Sequence, residues 1–431
     1  MPFTVPDTSR NMGPLTTTEN THPREHESTL RLLLKERPLL LLGWSLFFFG
    51  IPLASTIASS IFILIDLLIV LFRTNVLHQL VAGPPIHLEL GHQKTRLAAI
   101  LLALLILWAC IGGIVSIRPD IALPSTIGLA LVFILFFFRA GDLLWNDGWL
   151  LQRTMPLLVI GLLISGIYGV YATKVLGMTR LRLIGHGPNG SGTSLLISIL
   201  LAWSYADLLT RSWLKVAVRL IALAAIPSLL FTFSRGAWLG FAGGVVCYML
   251  VSKHKHKVGL VVGLLVVALL VGTNPKLQYR MQNIFSLERN RDRIEVWSTT
   301  IKLIPDHLLF GVGTAVFPHV YQQYSPRGNP MAFAHNFFLQ ALAEYGIPGF
   351  ILLITVIGLC LVTGYSVVRE HRWPLAAGVL SAVVGALIHQ QVDNTIHGAN
   401  LASVFWFLCG LLLTLDEVHQ KSPRTKQKGK I

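Results

Sequence analysis

Residues 334–353 read AHNFFLQALAEYGIPGFILL, a histidine and an asparagine followed by an almost unbroken apolar run. A helix on the surface of a soluble domain alternates apolar and polar faces every 3.6 residues. From Phe337 to Leu353 the polar side chains are Gln340, Glu344 and the Tyr345 hydroxyl, too few to make a wet face. The stretch therefore belongs to a bilayer or to the interior of a large helical bundle, with His335 and Asn336 at its mouth.

The rest of the chain decides between these. Of 431 residues, 53% are hydrophobic and 13% charged, against roughly 25% charged in a soluble domain. Membrane spans need about 20 mostly apolar residues each. The pattern predicts them near 38–53, 56–72, 97–116, 121–138, 155–173, 193–209, 216–233, 236–252, 258–273, 336–364, 375–391 and 400–416. Lipid offers backbone groups no partner, so spans of this kind are helices. The expected class is all-α, a polytopic integral membrane protein of about 12 transmembrane helices with one large external loop containing short helices. Residues 39–72 are one apolar run, too long for a single span, and fold at Pro52 into a tight hairpin. The division expected is a disordered cytoplasmic tail at 1–37, helices 1–9 at 38–273, the external loop at 274–335, helices 10–12 at 336–416 and a basic cytoplasmic tail at 417–431. The tail 1–37 lacks the apolar region of a signal peptide.

Charge orients this layout. The formal net charge is +15, from 35 basic and 20 acidic residues. With the N-terminus inside, most of the basic residues fall in inside loops and tails, as the positive-inside rule requires. Both termini are then cytoplasmic. A basic chain also raises nucleic acid as a partner, but topology and anionic headgroups account for the charge, and no nucleic acid is expected. Cys110, Cys247, Cys360 and Cys409 all lie in apolar spans, with neither a disulfide framework nor a CxxC metal signal.

The exceptions to positive-inside carry the chemistry. Outside the large loop, the external basic residues are Arg118, Lys174, Arg180, Arg182 and Arg235. FTFSRGAWLGFAGG (231–244) places Arg235 in a very short turn between two apolar helices, with Ser234 able to cap the second and Gly236 allowing close approach. An arginine at membrane depth faces a cavity or a partner; the plain alternative is one snorkelling to the headgroups. TRLRLIGHGPNGSGTSLL (179–196) reads as a flexible glycine turn, with Ser191 or Thr193 as N-cap of the next helix. It lacks the lysine of a P-loop and lies on the wrong side for ATP.

His335 shares the external face with Arg182 and Arg235. Guanidinium forks suit a pyrophosphate without a metal, and imidazole suits general-base work on a hydroxyl; the plain alternative for His335 is a packing residue. Glu344 is nine residues on, on the opposite face and roughly 13 Å deeper, and reads as a structural partner inside the bundle. RDRIEVWSTTIKLIPDH (291–307) sets Ile294, Trp297, Ile301 and Ile304 on one stripe of an amphipathic helix that lies on the bilayer or closes over the spans. FGVGTAVFPHVYQQYSPRG (310–328) reads as a cover whose aromatics stack on sugars or form an interfacial belt. No DxD stands in an outside loop, which argues against a divalent-metal glycosyltransferase.

Together these stretches resemble the O-antigen ligase and polymerase superfamily of bacterial envelopes, over about residues 95–415. SRGAWLG (234–240) is similar to its Ser-Arg-Gly turn, and HNFFLQALAEYGIPG (335–349) to its His-Asn-x-x-Leu helix start ending in Glu-x-Gly. The stretch from Arg293 through Trp297 to PDHLLFGVG (305–313) is similar too. RLIGHGPN (182–189) is the weakest likeness and leaves the choice between Arg180 and Arg182 open. The resemblance implies an O-antigen ligase in the bacterial inner membrane with a periplasmic active site and the external loop in the periplasm. It would be an inverting glycosyltransferase, with no metal and no cofactor, moving a glycan from undecaprenyl pyrophosphate to the lipid A–core oligosaccharide. His335 would be the general base, with Arg235 and Arg182, or Arg180, on the donor pyrophosphate. Asn336, Lys174, Arg293 and Asn189 are further candidate contacts, with Arg289 and Arg291 beside Arg293. A polymerase extending lipid-linked repeats shares the motifs. A transporter or flippase of lipid-linked glycans would also want cavity arginines, but transporters show inverted repeats and helices broken at mid-membrane. Asp66 and His389 are the odd intramembrane polar residues on that account.

Overall fold

The computed structural model describes residues 41–53, 60–61, 64, 93–140, 145–252, 257–283, 286–326, 328, 331–371, 373–397 and 399–421. The tail 1–37, most of the expected span 56–72 with its hairpin, Asp66, and the basic end from 422 lie outside these residues. The described elements are all helical: α1 (Leu41–Leu53), α2 (Gln93–Val115), α3 (Pro119–Arg139), α4 (Trp145–Lys174), α5 (Pro188–Ala206), α6 (Ser212–Ala224), α7 (Ile226–Phe231), α8 (Arg235–Val251), α9 (Lys257–Thr273), α10 (Pro275–Gln282), α11 (Arg291–Leu303), α12 (Phe317–Tyr324), α13 (Phe337–His371), α14 (Pro374–Gln390) and α15 (Ala399–Lys421). Among them, five stretches are long and apolar enough to cross a membrane: 93–115, 119–137, 150–174, 212–231 and 337–370. Four shorter apolar helices accompany them.

Each expected span from 97–116 onward falls on a helix, with shifted ends. α5 begins at Pro188, so Gly190 and Gly192 are helical, while Gly185 (φ 83°) and Gly187 lie in the turn before it. Its N-cap is Gly187, and neither Ser191 nor Thr193 caps it. Ser191 lies inside, its Oγ donating to Gly187 O (3.0 Å) and accepting from Leu183 N (2.8 Å). The small residues there serve contact: a Cβ on Gly192 would stand 2.5 Å from Ala237 Cβ. From Gly190 to Ala206 α5 is buried all round, the mark of a central helix.

α8 packs parallel to it and α14 antiparallel to both. Gly236, Gly240 and Gly244, one turn apart, let their backbones meet. A Cβ on Gly236 would lie 2.6 Å from His389 Cδ2, on Gly240 2.5 Å from Gly385 O, and on Gly244 2.9 Å from Ser381 O. Both helices have 17 residues, about 26 Å, less than the ≈ 30 Å hydrocarbon thickness. Their shared polar end sets Ser234 and Gly236 against His389.

The expected span 336–364 is two segments. At Gly346 the backbone takes φ 65°, ψ −174°, a region essentially confined to glycine, and Pro348 follows. The carbonyls released there find new donors: Ala343 O accepts from Val312 N (2.8 Å), Glu344 O from Gly313 N (3.1 Å) and Tyr345 O from Trp108 Nε1 (3.0 Å). Glu344 is buried, its Oε1 accepting from Gln340 Nε2 (2.8 Å) and Ala315 N (3.0 Å), with His397 Nε2 at 3.6 Å. It clamps the 312–316 turn onto the bundle, a structural partner as the sequence suggests.

Residues 291–334 form a cap with its own small core. α11 buries Val296, Thr299, Thr300 and Leu303, while Ile294 and Ile301 are exposed. The expected stripe is thus divided: Ile294 and Ile301 face outward, while Trp297 and Ile304 are partly buried, Ile304 against the cap core. Thr300 can pack there because its hydroxyl donates to Val296 O within the helix (2.8 Å). Phe317 and Tyr321 are buried in the cap core, so these two aromatics are not sugar-stacking surface residues.

Gly240→Leu is expected to lower the thermal midpoint of detergent-purified protein by the equivalent of about 1–3 kcal/mol, the cost of overpacking. Gly128→Leu, where nothing lies within 4 Å of a new Cβ, should leave it nearly unchanged.

Candidate active site

Asn336 caps the short arm of α13: its Oδ1 accepts from Phe338 N (2.9 Å) and Leu339 N (3.0 Å), and its Nδ2 donates to Gln391 O (2.9 Å). That cap leaves His335 with φ 49°, a left-handed conformation costing roughly 1–2 kcal/mol for a residue with a Cβ. The His335 carbonyl accepts from Trp297 Nε1 (3.4 Å). Its Nδ1 lies 3.5 Å from Asp393 Oδ1, the limit of a hydrogen bond, with no closer partner among the described residues. Such contacts often tighten only when substrate binds.

Asp393 is the centre of the arrangement. It stands between α14 and α15, 6% exposed, and its Oδ2 accepts from Asn189 Nδ2 and from Arg293 Nη2 (3.3 Å), its Oδ1 from Asn394 N (2.9 Å). Burial pushes the carboxyl up, but the His335 contact, the His389 and Arg293 charges and the Asn394 N–H outweigh it and hold the pKa down at about 2. The sequence reading passed over this residue. Its signal was QQVDNTIHGAN (390–400), a polar interruption between two apolar runs.

Arg180 reaches the same centre through Asn189, donating to Asn189 Oδ1 (3.1 Å) and, from Nε, to Thr232 O (3.1 Å). Burial lowers its pKa to about 10, and the charges of Arg280, Arg293 and Arg182 push the same way against Asp393. Arg182, two residues on, is exposed at the rim. Arg235 starts α8 behind the Ser234 cap, whose side chain accepts from Ala237 N (3.4 Å). It donates to Asn283 O (2.5 Å) and Asn290 Oδ1 (2.8 Å). It is thereby tied to the segment that begins α11 and carries Arg293 to Asp393. Lys174 and Arg291 are exposed, and the Arg289 side chain lies outside the described residues.

A second polar seam lies just beneath. His389 faces Thr193 Oγ1 through Nδ1 (2.8 Å) and Ser234 Oγ through Nε2 (3.4 Å). Thr395 Oγ1 meets Thr193 Oγ1 (2.8 Å) and accepts from Gln390 Nε2 (2.8 Å). These bonds tie the ends of α5, α8 and α14 together. An apolar groove of about 450 Å³ runs between α4 and α6, lined by residues including Leu162, Gly166, Val170, Tyr171 and Ala224. Leu181, flanked by Arg180 and Arg182, packs at Gly169 on the same helix: a Cβ there would lie 3.0 Å from Leu181 Cδ2. Among the described residues no three His, Cys, Asp or Glu side chains are grouped to hold an ion.

Residues 220–354 match the family described as O-antigen ligase. The match covers about a third of the chain. The matched stretch contains Arg235, Arg293 and His335, while Arg180, Asn189 and Asp393 come from outside it. This match and the apolar helices support a membrane protein of O-antigen ligase or polymerase type, acting in lipopolysaccharide biosynthesis. No curated protein matches the chain.

The depressed pKa of Asp393 makes the site acid-sensitive in a defined direction. A carboxylate held below its unfolded pKa stabilises the fold fully above about pH 4 and loses that contribution as pH falls toward 2. The contribution at neutral pH is on the order of 2 kcal/mol. Thermal melts between pH 2 and 6 should show this limb in the wild type and a flatter one in Asp393→Asn, which should also melt lower at pH 7 because Arg293 loses its counter-charge.

Proposed function

We propose that this protein is an O-antigen ligase, a metal-independent inverting glycosyltransferase. It moves a glycan from undecaprenyl pyrophosphate to the lipid A–core oligosaccharide at the periplasmic face of the inner membrane. The observation that carries this reading is the His335–Asp393 pair set among guanidinium groups at one end of an apolar bundle. Asp393 accepts the Nδ1 proton of His335, which leaves Nε2 to take a proton from the acceptor hydroxyl. As that proton leaves, the acceptor oxygen bonds to the anomeric carbon and the bond to pyrophosphate breaks. The electron pair departs on the pyrophosphate, whose growing charge Arg180 and Arg235 stabilise from fixed positions, with Arg182 at the rim. Of the two arginines the sequence left open, Arg180 is the one tied to the Asp393 centre. The groove between α4 and α6 is lined mainly by apolar side chains, which suits the polyprenyl tail.

A carrier for lipid-linked glycans is less well supported. Transporters use the backbone freed at a broken helix to hold their cargo. Here the carbonyls freed at Gly346 already accept from Val312, Gly313 and Trp108.

The test uses purified protein with an undecaprenyl-pyrophosphate glycan, lipid A–core and EDTA. Glycan should pass to lipid A–core despite EDTA, and His335→Ala should slow it by about 10²–10⁴-fold. Products lengthening on the polyprenyl carrier instead would make the protein a polymerase, and no transfer to either acceptor would refute the enzyme reading.

A further inference from the structure

Arg280 has no part in the chemistry above, yet its position is specific. It lies in the last turn of α10, and its guanidinium sits 5.9 Å over the Phe233 ring. Phe233 has φ 51° and belongs to the short turn, Thr232 to Ser234, that joins α7 to α8. Arg180 holds the same turn by its bond to Thr232 O (3.1 Å). Arg235 is the next residue along. One turn thus gathers three guanidinium groups: one on its carbonyl, one over its ring and one from the residue that follows it.

Their surroundings do not neutralise them. Asp393 is the acid that reaches this group, and it already accepts from Arg293 and Asn189. Among the described residues no carboxylate pairs with Arg280. Of the neighbouring charges, that of Arg280 acts most strongly on Arg180. Arg235 directs both terminal nitrogens at Asn283 O and Asn290 Oδ1. The contact of Arg280 is with the Phe233 ring, which leaves its N–H donors to bond elsewhere. Two close like charges without an acid between them repel, and an anion between them reverses the sign. One phosphate fills one fork; two linked phosphates engage two.

We propose that Arg280 is a further donor-binding residue, which with Arg180 grips the two phosphates of a polyprenyl diphosphate and so selects diphosphate over monophosphate lipids. This rests on the donor reading given under the proposed function. It makes α10 part of the donor site and Phe233, held in its unusual conformation, the platform that aims the guanidinium.

The experiment is equilibrium binding of polyprenyl diphosphate and polyprenyl monophosphate of the same chain length to detergent-purified full-length protein. Wild type, Arg280→Ala, Arg280→Lys and, as a control on the same helix, Lys276→Ala are compared, each with its thermal midpoint. Wild type and Lys276→Ala should prefer the diphosphate. Arg280→Ala should bind the diphosphate roughly 10–100-fold more weakly, the loss expected for a charge-assisted pair, and the monophosphate within a few-fold of wild type. Arg280→Lys should recover part of the preference, since it restores charge without the fork. Equal weakening toward both lipids, or an unchanged preference in Arg280→Ala, would overturn the role of Arg280 while leaving the donor reading intact. Wild type that binds neither lipid would overturn both.

Discussion

The contact on which the rest depends is the glycine seam between α8 and α14. With no side chain at Gly236, Gly240 and Gly244, the two backbones approach until Gly240 faces the carbonyl of Gly385. Lipid supplies no hydrophobic drive for helices to associate, so close van der Waals packing of this kind must hold them. The seam also sets the register of the site. It brings the start of α8, with Ser234 and Arg235, against the end of α14, with His389, and the chain leaves α14 directly into Asp393.

A second constraint fixes the other half of the site. His335 and Asn336 lie at the start of a short helical arm that exists because α13 breaks at Gly346. A break at membrane depth exposes carbonyls that lipid cannot satisfy. The 312–313 backbone and the Trp108 indole satisfy them, and Glu344 locks that turn in place through Ala315 N. The cap at 291–334 is therefore bound to the bundle by the same groups that aim His335. Its α11 carries Trp297 to the His335 carbonyl and Arg293 to Asp393.

The electrostatic character of the site follows from one buried acid among several arginines. Asp393 orients the imidazole and holds Arg293 and Asn189, and through Asn189 it reaches Arg180. Positive charge remains in excess after these pairings, which suits a ligand carrying more than one negative charge. Buried charges of one sign are costly unless paired, so the excess is an argument about function and not about stability.

Much of this was legible in the chain. The helical class follows from apolar runs of span length in a chain only 13% charged, and backbone satisfaction in lipid leaves helices as the outcome. Ser234 as a cap, Arg235 at a helix start and His335 at the mouth of α13 are local features, set by neighbours in sequence. What local pattern does not carry is which distant segments meet. Asp393 lies 58 positions beyond His335, and a single polar residue between two apolar runs reads as an ordinary loop until folding sets it against the imidazole. The glycines of 185–192 looked like slack because looseness and close packing use the same residue; only the presence of Ala237 opposite Gly192 separates them. Ile294 and Ile301 of α11 turned outward because a threonine that bonds within its own helix can be buried as readily as an isoleucine. Composition and periodicity thus determined helices, apolarity and the polar residues at their ends. The meeting of His335, Arg293 and Asn189 at Asp393 was decided by packing, a property of pairs far apart in the chain.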